Sequence, residues 1–384
     1  MRREHMYSLE QFANMFSDPL RMNAYRGAIA KYVQPGSVVV DLGCGPGIFG
    51  FLACQAGARR VYAIDINGVV DFGRHLAAVN GVADRIQFLC GDSRQIHLPE
   101  RADVIVSDVR GSLPLHSNSI ATIEDARGRF LRPGGTFLPS SDTLVCALIE
   151  NDKLYREIVD PWTSLPQLNL SSGLPLALNS MYSEKFEPAH VISDAGRWLK
   201  LDYVLGAKTH VTNTLHLTMS RDSIGHGIGL WFETELGDGF GYSSAPGTGD
   251  RVYGNKFLPW LEPVSLRRGD VCCLTLGAHQ VSGNYIWQWE TRISAADGRA
   301  EKHFRQSTFY GSVLSPSYLK KHASEFVPVL SETGLAERWL LQNIDGQRTI
   351  EQIAAEATSL FPHVFHRMQD AYGRAAEIAE KFAR

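Results

Sequence analysis

An apolar run that meets an acid and then bends through three glycines constrains this chain more than any other feature. Val38-Val39-Val40 is followed by Asp41-Leu42-Gly43-Cys44-Gly45-Pro46-Gly47. Glycine adopts backbone dihedrals closed to other residues and lets a ligand approach bare main chain. The next run, 49–58, is compatible with a helix. The first N–H groups of such a helix, with its positive dipole end, suit an anionic ligand. Strand, glycine turn and helix in this order form the nucleotide-binding unit of a doubly wound α/β domain.

Two cofactors compete for such a turn. Gly45-Pro46-Gly47-Ile48-Phe49-Gly50 matches G-x-G-x-x-G, the dinucleotide pattern, which is a weak signal alone. Residues 41–47 also match D-x-G-x-G-x-G, used for S-adenosylmethionine. A carboxylate inside the turn repels a pyrophosphate, whereas an ammonium and a sulfonium tolerate it. Later strand ends repeat the acid. Strand 60–64 ends at Asp65, which suits ribose hydroxyls with either cofactor. Strand 86–89 leads to Asp92, which suits an adenine amino group or the cap of a helix. Strand 104–108 closes on Ser107-Asp108. Acids at four strand ends fit S-adenosylmethionine better than a nicotinamide dinucleotide.

Composition narrows the class. The chain has 384 residues, 44% hydrophobic and 21% charged, which predicts two or three globular domains. A net charge of −3 gives no nucleic-acid footprint. No apolar run has the length of a membrane span, and residues 1–6 lack the apolar core of a signal peptide. Six cysteines without C-x-x-C or metal-ligand spacing predict a reduced, cytoplasmic protein with no metal. His363 and His366 have no third ligand nearby in sequence and read as a solvated helix face.

The pattern along the chain changes twice. Residues 1–139 alternate strand and helix signals, as in a Rossmann-like parallel sheet. Residues 140–325 read as an antiparallel β-barrel, with strands near 144–149, 198–205, 210–219, 229–236, 270–276 and 285–293. An excursion near 155–181 interrupts it. Gly225-His226-Gly227-Ile228-Gly229 reads as a hairpin turn. Residues 326–384 read as a small helical domain, with Ile350, Ile353, Ala354 and Ala357 on one face.

This order resembles the protein arginine methyltransferases, over roughly residues 12–293. The segment Asp18-Pro19-Leu20-Arg21-Met22-Asn23-Ala24-Tyr25 resembles that family's N-terminal helix, in which an arginine pairs with the cofactor carboxylate. Arg21 is the matching residue. Asp65 stands where the family keeps a ribose-binding glutamate. The 155–181 excursion lies where it carries a dimerisation arm, and 130–139 resembles its interdomain hinge. The resemblance implies a class I methyltransferase that uses S-adenosylmethionine and forms a homodimer. The cofactor set is then Arg21, Asp41, Gly43, Gly45, Gly47, Asp65, Ile66, Asp92, Ser93 and Ser107.

The departures concern the acceptor. The family's active loop carries two glutamates that hold a guanidinium. Here residues 107–117 carry Asp108 at the first position and Ser117 at the second, with Arg110 adding a cation that would repel an arginine substrate. The family's threonine-histidine-tryptophan loop falls near Arg251-Val252-Tyr253, without the histidine. Phe12 also stands where a histidine would. A guanidinium in a dry pocket needs compensating carboxylates. Asp108 and His116, eight residues apart, are the candidates for proton handling at a different acceptor.

The stretch 329–353, with Asp345-Gly346 before Thr349-Ile350, resembles PqqD-like domains. These hold leader peptides, and the resemblance implies an edge strand pairing with a peptide. Three readings therefore stand: a methyltransferase for a peptide or protein side chain, a methyltransferase for a small natural product, and a non-catalytic homologue that binds the cofactor.

Overall fold

The computed structural model describes residues 7–249, 252–294 and 300–383. Arg251 and the N-terminal residues considered for a signal peptide lie outside these. The chain divides into two compact units, one ending at Val313 and one beginning at Leu314.

The first unit opens with helices α1 (Leu9–Ser17) and α2 (Pro19–Tyr32). Strands and helices then alternate: β1 (Val38–Leu42), α3 (Ile48–Gln55), β2 (Arg60–Asp65), α4 (Val70–Val79), β3 (Ile86–Cys90), β4 (Ala102–Ser107), α5 (Ser119–Phe130) and β5 (Leu131–Leu138). The five strands form one sheet in the order β3-β2-β1-β4-β5, all parallel. Both faces are covered, which is why β1 reads as a continuous apolar run. Val38, Val40 and Leu42 pack toward Ile120, Ile123 and Ala126 of α5. Val39 packs in the opposite layer with Ala28, Ile29 and Ala53 of α2 and α3.

Past β5 the ladders become antiparallel. In order come β6 (Ser141–Ile149), α6 (Asp152–Thr163), α7 (Leu174–Leu178), β7 (Tyr182–Glu184), β8 (Gly196–Asp202), β9 (His210–Thr218), β10 (Ser223–Gly237), β11 (Phe240–Ser243), β12 (Asn255–Leu266), β13 (Val271–Val281), β14 (Asn284–Ser294) and β15 (Lys302–Ser307). Hydrogen bonds order these strands into sheets of six and four. The two sheets share one core: Leu144, Cys146 and Leu148 of the larger meet Leu274, Leu276, Trp287 and Trp289 of the smaller. The predicted excursion is helical, formed by α6 and α7.

Two expectations are corrected. Residues 225–229 are not a turn but lie inside β10, where small residues are needed. A Cβ on Gly227 would meet the Leu258 carbonyl and the Phe257 ring, and one on Gly225 would lie 2.7 Å from Trp260. Close approach of neighbouring groups, rather than unusual dihedrals, selects glycine here. The second correction concerns the C-terminal unit. It contains α8 (Pro316–His322), α9 (Glu332–Gln342), α10 (Ile350–Leu360) and α11 (Met368–Phe382), and residues 314–383 hold no strand. Pairing of a peptide with an edge strand has no strand to use there. The sequence reading of α10 agrees with the structure: Thr349 caps it, and Ile353, Ala354 and Ala357 are buried.

Candidate functional site

The parallel sheet reverses its winding between β1 and β4, so the loops after these strands part and leave a crevice at their carboxyl ends. A cleft of about 400 Å³ lies there. Its floor is the glycine turn after β1. Gly43, Gly45 and Gly47 take φ of 71°, 53° and 92°, values that side chains resist. Phe12 of α1 lies across the turn, such that a Cβ on Gly45 would stand 2.6 Å from its ring.

Asp65, at the end of β2, accepts the Gly45 N–H at 2.7 Å through Oδ2 and the Asn67 N–H at 2.8 Å through Oδ1. Each oxygen keeps lone-pair capacity toward the cleft. Ile66, Ser93, Gly43 and Gly45 also line the cleft. Asp92 sits at its rim. It caps the short 93–95 turn and grips Arg94, with Nη2 at 2.7 Å, so its carboxyl lies below the usual range.

Three residues expected at the cofactor do not line the cleft; they shape the backbone that does. Asp41 is buried beneath the turn, where its Oδ2 accepts the Gly50 N–H at 2.7 Å. Burial pushes its carboxyl up to about 7, against the pull of that bond. Gly47 starts α3 with its open side against Phe88. Ser107 is buried at the end of β4, where its carbonyl accepts the Tyr25 phenol O–H at 2.7 Å.

The opposite wall is charged. Arg21 Nε donates to Asp108 Oδ2 at 2.6 Å, and its Nη1 to the Met15 carbonyl at 3.1 Å. Burial alone would weaken the guanidinium charge, but adjacent Asp108 holds it protonated beyond the usual range. Tyr253 also donates to Asp108 Oδ2, at 2.6 Å. Burial, and then the Asp108 charge, keep that phenol protonated far above its ordinary range. Asp108 Oδ1 is different. Arg110 Nη2 lies 3.2 Å away as an ion pair, but among the described residues no hydrogen-bond donor reaches this oxygen. A buried acceptor without a donor is costly, and a bound group with an N–H or O–H would satisfy it. His116 lines the same cleft, so both proposed proton-handling residues face one space.

Arg110 does not project into the cleft as the sequence suggested. It is 1% exposed. Its Nη1 donates to Asp142 at 2.8 and 3.0 Å, and its Nη2 to Tyr242 at 2.6 Å and Tyr25 at 3.2 Å. Asp142, on β6, also accepts from Tyr203 and Thr234, both at 2.7 Å. Sequence reasoning missed Asp142, Tyr242 and Tyr253. Asp142 left a signal: it is the one acid in 141–149, at the head of the apolar run that begins at Leu144.

Among the described residues no cluster of three or more His, Cys, Asp or Glu is placed to hold a metal, and no helix is long and apolar enough to cross a membrane.

Comparison with known proteins gives a consistent picture. Residues 27–140 match the family model described as ribosomal protein L11 methyltransferase (PrmA). A probable protein arginine N-methyltransferase 6 from Arabidopsis thaliana is 30% identical over 231 residues, covering 58% of this chain and 53% of that protein. Protein arginine N-methyltransferase 6 from Xenopus laevis is 29% identical over 231 residues, covering 57% and 68%. The chain thus spans only about half the length of the Arabidopsis relative. Among solved structures, Arabidopsis thaliana protein arginine methyltransferase 10 superposes with a TM-score of 0.70 at 21% identity, covering 78% of this chain and 97% of that one. The Trypanosoma brucei PRMT1 enzyme-prozyme complex with AdoHcy gives the same score and identity, covering 77% and 97%. In sequence and in fold the chain is similar to the protein arginine methyltransferases.

Proposed function

We propose that the protein is an S-adenosylmethionine-dependent methyltransferase whose acceptor is a side chain of a peptide or protein. The carrying observation is the convergence, in one switch-point cleft, of bare glycine backbone, Asp65, Arg21 and the donor-less oxygen of Asp108. The chemistry of these groups fits the cofactor. Asp65 suits ribose hydroxyls. Arg21 Nη2, which engages no partner among the described residues, suits a carboxylate. The rings of Phe12 and Phe49 and the thioether of Met15 give the cleft its apolar surface. When bound, the cofactor supplies an electrophilic methyl group.

The chain's own residues do the rest. Asp108 Oδ1 accepts a hydrogen from the incoming nucleophile and so aims it. Arg21 and Tyr253 fix the carboxylate that does this. In this reading His116, which lines the same cleft, takes the proton. A protein acceptor is supported by likeness to enzymes named as protein arginine N-methyltransferases. Self-association is supported by apolar exposure in the excursion, where Leu165 and Leu168 are 48% and 63% exposed. Light scattering after gel filtration should give twice the chain mass, and Leu165→Glu/Leu168→Glu should return it to one.

Calorimetric titration with S-adenosylhomocysteine tests the cofactor site. Asp65→Ala removes charge-assisted bonds and should weaken binding by about 2–4 kcal/mol, on the order of 30- to 1000-fold. Unchanged affinity in a folded variant would overturn the assignment.

A further inference from the structure

We propose that Arg110, together with Arg21, sets the charge of the methyl acceptor, so that this site takes a reacting group that is electrically neutral. The inference rests on the methyltransferase reading above and names its substrate class.

A cation entering a closed cleft needs a carboxylate with charge to spare. Among the described residues each carboxylate at this cleft already has partners, and in the reading above Asp65 serves the cofactor. Asp65 holds two backbone N–H groups of the glycine turn and its flank. Asp92 is held by Arg94. Asp18, buried beneath α2, accepts the Arg21 and Val252 N–H groups at 3.0 and 2.9 Å. That leaves Asp108, which lies between two guanidinium groups, Arg21 at 2.6 Å and Arg110 at 3.2 Å. The loop that follows, residues 109–118, brings one arginine and one histidine but no second acid.

Arg110 is the decisive partner because it cannot withdraw. Its side chain is 1% exposed and is fixed by Asp142, Tyr242 and Tyr25. An arriving guanidinium or ammonium would meet a carboxylate already paired with Arg21 and lying 3.2 Å from the Arg110 guanidinium, while the Asp142 charge is spent on Arg110 from its far side. A neutral N–H or O–H suffers no such repulsion and still finds the donor-less Oδ1 of Asp108. Amide, neutral imidazole and hydroxyl acceptors satisfy this condition. Guanidinium and alkylammonium groups do not.

The test uses the full-length protein and two adenosine conjugates. Each carries, in place of the transferable methyl, a short tether ending in either a guanidine or a urea. The two are matched in shape and differ in charge, and the adenosyl part anchors both. Titration calorimetry should show the guanidine conjugate binding at least tenfold more weakly than the urea conjugate. Arg110→Met should narrow that ratio at least threefold, whereas Arg110→Lys, which keeps the charge, should preserve most of it. A purely structural role for Arg110 would weaken both conjugates alike. Guanidine binding as tight as urea binding in the wild type overturns the proposal, whatever the variants do. Binding of S-adenosylhomocysteine without either conjugate also overturns it, because the acceptor path would then lie elsewhere. Loss of S-adenosylhomocysteine binding itself would instead remove the methyltransferase reading.

Discussion

Replacing Asp142 by asparagine should be among the most destabilising single-residue changes in this chain. The carboxylate is fully buried and accepts hydrogen bonds from Arg110, Tyr203 and Thr234. An asparagine keeps the shape and one acceptor oxygen. Its amide nitrogen is a donor, however, and would face other donors. Arg110 would also lose the carboxylate that balances its buried charge. Removing one partner of a buried ion pair costs about 3–5 kcal/mol. That is a large part of the roughly 5–15 kcal/mol that holds a typical domain together. Urea unfolding followed by near-ultraviolet circular dichroism would measure it, since Trp162, Trp198, Trp231, Trp260, Trp287 and Trp289 all lie in the first unit. The companion variants Arg110→Met and Arg110→Met/Asp142→Asn complete a cycle. The double variant should cost at least about 2 kcal/mol less than the sum of the singles. A cost below about 1 kcal/mol for Asp142→Asn, or strict additivity in the cycle, would show that the pair is not the buried, coupled unit described above.

Two further outcomes are expected. Gly45→Ala combines a φ of 53° with a Cβ 2.6 Å from Phe12, so it should displace that ring and weaken S-adenosylhomocysteine binding at least tenfold by calorimetry. Asp41 is raised to about 7 from 3.8, chiefly by burial. The folded protein therefore keeps a proton that the unfolded chain releases. This contribution to stability is full below about pH 4 and is lost as pH rises through 7. Asp41→Asn should flatten urea midpoints over that window, and an unchanged pH profile would remove Asp41 as its source.

The parallel half of the molecule was legible because its signals are local. The 41–47 turn, the acids at strand ends and the apolar β1 each follow from neighbouring residues. The antiparallel half was harder. Strand β12 carries Pro259 and Pro263, which read as breakers in sequence, yet it pairs along β10 through a register shift. The glycines of β10 mimic a turn because their purpose lies in other strands. Asp65, Asp108, His116 and Arg21, picked out by motif and resemblance, all line the cleft. The environment of Asp108 was not, since Tyr253 reaches it from 145 positions away along the chain. Arg110 shows the limit most sharply: its neighbours in sequence suggest an exposed loop cation, whereas its partners sit on β6, α2 and β11.

That same guanidinium fastens the segment after β4 to strands belonging to the other fold class. A wall of the crevice is thus built by the Rossmann portion but buttressed from outside it. Cut away from β6 and β11, the nucleotide-binding portion would expose a naked cation where its partners had been, and the crevice would lose that wall. Neither portion could be exchanged alone without rebuilding this junction.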